Sequence, residues 1–290
     1  MPISFASPTY AIDGTAWVGN AVDDDGCRWT VEKQTILSGP TMKTRIVGKP
    51  AFAGGYRRKS YQDVERRWLR GVCIAPDRLA RERAEDWLRG LLSDGEQHEL
   101  VVTSPWLTRK AMCEQDGELK IEQEPNGYTF RYLMNLAFAD PRWLSPLEPH
   151  GGVLQPPVIG TGLAWGSGLV WGSGLSWGTP STTGTMTLTN GGSGTEYPVV
   201  RLDGPLAAGA TVRLVETGQV HTFGPALASG DYLLIDNKNH TVLFNGTIDR
   251  FSSMVAAQWF EIPKRSSITL ALAASGTGTL SATWYDASTM

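Results

Sequence analysis

Four histidines (His98, His150, His221 and His240) and three cysteines (Cys27, Cys73 and Cys113) are the residues of this 290-residue chain best suited to hold a metal or act as nucleophiles. None of the histidines stands at ligand spacing from another or from a cysteine, so the pattern gives zinc no site. The odd, scattered cysteines fit buried small hydrophobes in the reduced state, not a disulfide framework. Asp23-Asp24-Asp25-Gly26 invites a calcium reading, but the alternating ligands and closing Glu of an EF-hand loop are missing, and a turn is the simpler reading. Glu122 and Glu124 sit at strand spacing and can share a face. A glycosidase pair needs facing carboxylates at a set separation, so solvated edge charges are the reading here. No nucleophile elbow, zincin helix, P-loop or dinucleotide fingerprint occurs. The chain is read as non-enzymatic, with no cofactor and no metal.

Two other features could bind instead of react. Arg45, Lys49, Arg57, Arg58, Lys59, Arg66, Arg67 and Arg70 cluster around a Gly54-Gly55 loop with Asp63 and Glu65 as the only acids. Such a cluster is either a soluble loop plus a partly buried strand, or a charged surface facing a neighbouring subunit or passing nucleic acid, where it would meet phosphates without reading sequence. The second feature is a repeat of period six: Gly-Leu-Ala-Trp-Gly-Ser from Gly162, Gly-Leu-Val-Trp-Gly-Ser from Gly168, and Gly-Leu-Ser-Trp-Gly-Thr from Gly174. Six is a multiple of two, so an extended chain would put Leu163, Trp165, Leu169, Trp171, Leu175 and Trp177 on one face. That face could close a sheet, dock as an arm between domains or subunits, or offer a carbohydrate platform. Fully extended, the fifteen residues would reach about 50 Å.

These segments need a scaffold, and the composition indicates two. Residues 1–150 carry 20 Lys/Arg and 21 Asp/Glu, and residues 151–290 only 6 and 8. The fold class expected is mainly β: an N-terminal β-rich domain with one helix over 1–150, a Gly/Trp linker or arm over 151–182, and an antiparallel β-sandwich over 183–290. Thr15–Val22 and Arg28–Gln34 flank the Asp-rich turn as a hairpin. The helix is predicted over 77–93, with Asp94-Gly95 as its stop. It would turn Leu79, Ala84, Trp87, Leu88, Leu91 and Leu92 inward and leave Arg81, Glu85 and Arg89 on the solvated face. Strands are expected at 67–74, 99–103, 119–124 and 128–139. In the second half nine are expected, at 186–189, 199–202, 211–216, 220–223, 232–235, 241–245, 258–262, 268–272 and 280–285. A net charge of −3 argues against a basic nucleic-acid binder, and no stretch is long and apolar enough for a membrane span. The start, MPISFASPTY, has no secretory signal pattern, so synthesis in the cytoplasm is expected.

In order, these motifs resemble the distal tail protein family of long-tailed bacteriophages with non-contractile tails. The N-terminal matches are Asp13-Gly14, Gly54-Gly55-Tyr56, Leu69-Arg70-Gly71, the helix, and Asp140-Pro141-Arg142-Trp143. The C-terminal matches are Asn190-Gly191-Gly192, Tyr197-Pro198, Arg201 through Gly204-Pro205, Gly230-Asp231 to Ile235-Asp236, Asn245-Gly246 and Tyr285-Asp286-Ala287. The resemblance implies a galectin-like second domain and a structural virion protein at the tail tip. It further implies a hexameric ring that touches the tail tube protein, the tail hub or tail-associated protein and the tape measure protein, with receptor-binding proteins as further neighbours and DNA passing through the lumen. Asn237, Asn239 and His240 lack the nearby Arg of a sugar-binding galectin site, so galectin-like shape does not imply lectin activity. The alternative reading is an adhesin that recognises host cell-wall glycans.

Overall fold

The computed structural model describes residues 8–289 except 17–20, 45, 50–52, 54, 58–59, 158–162, 166–174 and 178–183. Of residues 15, 16, 21, 48, 57, 146, 147, 163–165 and 175–177 the backbone alone is described. The chain divides into two compact units, Met1–Leu147 with Ser288–Met290, and Glu148–Ala287.

In the first unit the strands are β1 (Thr9–Ile12), β2 (Thr15–Ala16), β3 (Ala21–Val22), β4 (Arg28–Gln34), β5 (Met42–Lys43), β6 (Ile46–Gly48), β7 (Gly55–Arg57), β8 (Tyr61–Gln62) and β9 (Glu65–Ile74). After helix α1 (Arg78–Gly90) follow β10 (His98–Thr103), β11 (Thr108–Gln115), β12 (Lys120–Gln123), β13 (Thr129–Phe138) and β14 (Arg142–Leu154), which leads into the second unit. β13 and β9 pair along their full lengths, from Thr129↔Ile74 to Phe138↔Glu65, and β4 and β12 extend this sheet. β1, β10 and β11 form a second antiparallel run. Alternating inward residues of both runs meet in one core, in which Trp29 packs its ring 5.7 Å from each of Trp87, Phe130 and Tyr132.

Helix α1 starts where expected and ends sooner, at Gly90 instead of Ser93, with Leu91 to Asp94 in turns. Glycine is a poor helix former, and the chain must turn there to enter β10. The inward face also differs: Ala80, Ala84 and Leu88 are buried together with Arg81 and Glu85, whereas Leu79 is exposed and Trp87 is at the surface edge. The helix is rotated so that its i,i+4 ion pair lies inward. Arg81 Nε approaches Glu85 Oε1 at 3.3 Å, and Arg89 and Gln123 also hold the Glu85 carboxylate, at 3.1 and 3.0 Å. At the N-terminus Asp77 accepts from the Ala80 amide at 2.8 Å. Asp77→Ala should therefore lower the stability of this unit by about 1 kcal/mol in urea unfolding. An unchanged midpoint would show that the cap contributes nothing.

Early in the second unit, β15 (Leu163–Trp165) and β16 (Leu175–Trp177) pair antiparallel, with Leu163 opposite Trp177 and Trp165 opposite Leu175. The backbone doubles back, so the reach of a fifteen-residue extended arm is not attained. Leu169 and Trp171 lie outside the described residues.

The second unit holds β17 (Thr185–Asn190), β18 (Val199–Asp203), β19 (Ala210–Leu214), β20 (Val220–Phe223), β21 (Tyr232–Asp236), β22 (Thr241–Phe244), β23 (Ile248–Asp249), β24 (Met254–Ala257), β25 (Ser266–Ala273) and β26 (Thr279–Thr289). One antiparallel sheet runs β23-β22-β21-β18-β26 and the other β17-β25-β19-β20-β24. Val200, Leu202, Leu233, Ile235 and Leu280 of the first and Leu188, Val212, Leu214, Leu270 and Leu272 of the second belong to one buried apolar core. The strand expected at 258–262 is not formed. Ile262 makes only an isolated bridge to Glu196, and the edge strand is β24, four residues earlier.

Candidate assembly surface

After β4 the chain leaves the core of the first unit, and it returns at β9. The segment between contains two short ladders, β5 with β8 and β6 with β7, paired with each other and with no other described strand. It forms a finger. Met42, Ile46, Val47, Tyr56 and Tyr61 on it are exposed, Ile46 at 69% and Tyr56 at 63%. Lys49 Nζ lies 5.4 Å from the Tyr56 ring centroid, and Lys43 reaches Asp63 at 4.0 Å.

The eight cations singled out in the sequence do not form one surface. Arg45, Arg58 and Lys59 lie outside the described residues, and of Arg57 only the backbone, on β7, is described. Lys49 is on the finger. On β9 the alternation decides: Arg66 and Arg70 point outward and pair with Asp116 at 3.1 Å and Glu32 at 3.7 Å. Arg67, one residue out of phase, points inward and is 8% exposed. It is neutralised by the fully buried Glu65 at 2.8 Å and donates to the Gly39 carbonyl at 2.7 Å, while the Thr41 amide donates to the other Glu65 oxygen. This pair pins the loop at the base of the finger, so Arg67 is structural and drops out of the charged surface. Period-two counting from Glu65 would have found it.

In the same unit, β12 pairs with β13 and with no other strand among the described residues. An open groove of about 600 Å³ runs beside it, lined by Arg89, Ser93, Gln115, Glu118, Ile121 and Glu122 among others. Glu118 and Glu122 are exposed, and no ion pair to either is found among the described residues. Glu124 differs from its strand neighbour: Arg131 holds it at 2.7 Å.

The groups with chemical potential are occupied in holding the fold. Asp23 accepts from the Cys27 amide at 2.7 Å and from Trp29 Nε1 at 2.8 Å, closing its turn. All three cysteines are free thiols buried in the core, and burial pushes Cys27 up to about 11 and Cys113 up to about 12. His98 is held between Asp13 at 2.5 Å and Asp94 at 2.8 Å, which raises its pKa and lowers both carboxyls. Asp13 also accepts from the Glu99 amide, so this cluster clamps the turn after β1 to the start of β10. Among the described residues no group of three or more His, Cys, Asp and Glu could hold a metal ion.

In the second unit, Asn237 is fully buried and has no free amide atom. Its Nδ2 donates to the Pro198 carbonyl at 2.7 Å, and its Oδ1 accepts from the Phe260 amide at 2.8 Å and from His221 at 2.9 Å. Asn239 is bonded to Asp236 at 2.7 Å. Trp259 is half-buried against the core and stacks on His240 with centroids 4.5 Å apart, and on Phe251 at 6.1 Å.

No protein-family model and no curated protein matches the sequence. Solved structures do. The Dit protein of phage SPP1, described as a paradigm of the hub adsorption apparatus in phages that infect Gram-positive bacteria, superimposes at TM-score 0.66 over 95% of this chain and 98% of that one, at 12% identity. The phage p2 baseplate in its activated conformation, with calcium or with strontium, matches at TM-scores of 0.50 and 0.51 over 95% of this chain and 97% of that one, at 14% identity. The chain has the fold of a phage tail hub protein.

Several of the motifs read from the sequence hold turns and junctions of this fold together. Asp13 and Gly14 take positive φ of 48° and 75° in the turn that His98 clamps. Gly71, in mid-β9, has no room for a Cβ, which would strike the Tyr132 hydroxyl and the Thr30 carbonyl. Arg142 chelates Asp140 at 2.8 and 2.9 Å. In the second unit the buried Asn190 accepts from the Gly192 and Ala287 amides and donates to the Gly194 carbonyl, while Asp286 accepts from the Gly191 amide. Asn190-Gly191-Gly192 and Tyr285-Asp286-Ala287, nearly a hundred residues apart, are thus two halves of one hydrogen-bonded junction.

Proposed function

We propose that this chain is a non-enzymatic structural protein of a phage tail tip. Copies of the first unit assemble into a six-membered ring that joins the end of the tail tube to the tail hub. The tube protein lies on one side and the hub or tail-associated protein on the other. The tape measure protein and then the genome pass through the lumen, without sequence reading by the ring, and receptor-binding proteins attach at the periphery. No cofactor is required. The observation that carries this reading is that the likeness to the SPP1 hub protein spans both units, end to end in both chains. Fold alone does not assign function, so assembly is the test. Purified protein should give a species of about 190 kDa, six chains of 31.5 kDa, by sedimentation, and rings in negative stain. A monomer at every concentration would overturn the proposal, and retention of that monomer on host cell wall would identify an adhesin instead.

A further inference from the structure

We propose that a pocket of the first unit, built around Arg109, is a carboxylate-binding site that receives an acidic side chain from a partner protein. The site lies within one unit of the chain and does not depend on the ring reading above.

Alternation along β11 puts Arg109 on the inward side. It is in phase with the buried Ala111 and Cys113 and stands opposite the buried Val102 of β10. The chain neutralises its other inward arginines itself: Arg67 has Glu65 at 2.8 Å, and Arg81 has Glu85 at 3.3 Å. Arg109 is half-buried, and among the described residues it has neither an ion pair nor a hydrogen bond; its Nε is closed off from solvent with no partner. A partly desolvated cation is costly unless a counter-charge meets it, and no described residue supplies one.

The space beside Arg109 fits such a counter-charge. Arg109 lines a pocket of about 390 Å³ whose walls include Leu37, Pro40, Val102, Leu107 and Trp143, with Ser38 adding a hydroxyl, and all of them belong to the first unit. That volume is in the range of ligand pockets, roughly 300–1,000 Å³. One cation among apolar walls selects a monovalent anion on an apolar stem, as a glutamate or aspartate offers; a phosphate dianion would be left short of positive charge.

The rim favours a protein as the carrier. Ser104 and Leu107, the two ends of the β10–β11 turn, both line the pocket. Ser104 Oγ donates to the Leu107 carbonyl at 2.8 Å and accepts from the Leu107 amide at 3.2 Å, and the turn so closed holds Trp106 88% exposed. Leu37 and Leu107 are exposed as well. A small carboxylate in the pocket would leave Trp106 wet, whereas a protein segment reaching over the turn would cover it and gain the kind of aromatic anchor that dominates interfaces.

The test uses the full-length chain and two probes, acetyl-Leu-Glu-amide and its uncharged counterpart acetyl-Leu-Gln-amide, titrated by NMR at neutral pH. The glutamyl probe should bind saturably at roughly millimolar concentration, and at least about ten-fold more tightly than the glutaminyl one. Arg109→Met keeps an apolar stem and removes the charge. It should erase that difference and melt no lower than wild type, since an unpaired cation is removed. Equal binding of the two probes, an undiminished preference in Arg109→Met, or a lower melting temperature for that variant, which would show that Arg109 serves its own fold, would each overturn the site. Hexanoate bound more than about ten-fold tighter than the glutamyl probe would give the pocket to a free aliphatic carboxylate and overturn the protein partner. In sedimentation, self-association of Arg109→Met should match wild type. A rise of about ten-fold in the concentration for half-assembly would place the acid on a second copy of the chain, which would overturn a separate partner and leave the ring reading standing.

Discussion

Glu65→Ala is expected to destabilise the first unit by about 3–5 kcal/mol, far more than a typical surface substitution, because it strands a buried guanidinium. Glu65 is fully buried and Arg67 is 8% exposed. Their closest approach is 2.8 Å, yet Glu65 Oε2 and Arg67 Nε are both left without a well-aligned hydrogen-bond partner. The attraction is therefore an ion pair more than a directed hydrogen bond. Losing the carboxylate leaves Arg67 with the Gly39 carbonyl and nothing of opposite sign, and frees the Thr41 amide. Replacing both partners by apolar residues, Glu65→Leu with Arg67→Met, should recover most of the loss, since the desolvation of two charges is removed along with their attraction. Urea unfolding of the two single variants and the double gives the coupling directly. A Glu65→Ala midpoint within about 1 kcal/mol of wild type would show that the pair is not the anchor it is taken to be.

The sequence made the second unit nearly transparent and the first only partly so. Eight of the nine strands expected there form, because each alternates apolar and polar residues between turn residues, as in Tyr232–Asp236 before the Asn-rich turn and Thr241–Phe244 after it. The failure at 258–262 has a clear cause. Trp259, Phe260 and Ile262 look like strand residues, but they serve as lids, with Phe260 donating its amide to Asn237 and Trp259 stacking on His240. In the first unit β14 was hidden because Pro146, Pro149, Gly151 and Gly152 interrupt its pattern. β11 was hidden because Ala111 and Cys113 are the only fully buried residues among eight. The charged residues were the least legible. Arg81 and Glu85 were expected on the solvated face, and Arg67 with Glu65 in a cluster that could be a loop with a partly buried strand or a charged surface; all four are buried as pairs. Spacing showed that Arg81 and Glu85 could meet, but an i,i+4 pair looks the same in one sequence whether it faces water or core.

Acidification should loosen the second unit through His221. This side chain is 1% exposed on β20, against Phe260 at 4.2 Å and Trp259 at 5.3 Å. The Phe260 amide and the Pro198 carbonyl orient Asn237 so that its oxygen faces His221, and Nε2 must therefore carry a proton and donate. Nδ1 is then a bare, buried nitrogen with no partner. A second proton would place a charge and an unpaired N–H in an apolar setting, so burial holds the pKa below its ordinary 6.5, against the smaller opposing effect of the bond to Asn237. The unfolded chain binds that proton near 6.5 and the folded one only at lower pH, so stability falls as pH drops below about 6.5, with a slope approaching about 1.4 kcal/mol per pH unit. His98 in the first unit has the opposite sign. Its raised pKa gives stability that is present below 6.5 and lost as pH rises through the folded value. Between pH 7.5 and 5, hydrogen exchange corrected for intrinsic rates should therefore speed up in peptides covering β20 and β21 and not in those covering β10. His221→Phe should abolish the pH dependence in the second unit, at the loss of one hydrogen bond at neutral pH. Equal protection of β20 in the wild type at both pH values would mean that the buried imidazole does not govern the acid response.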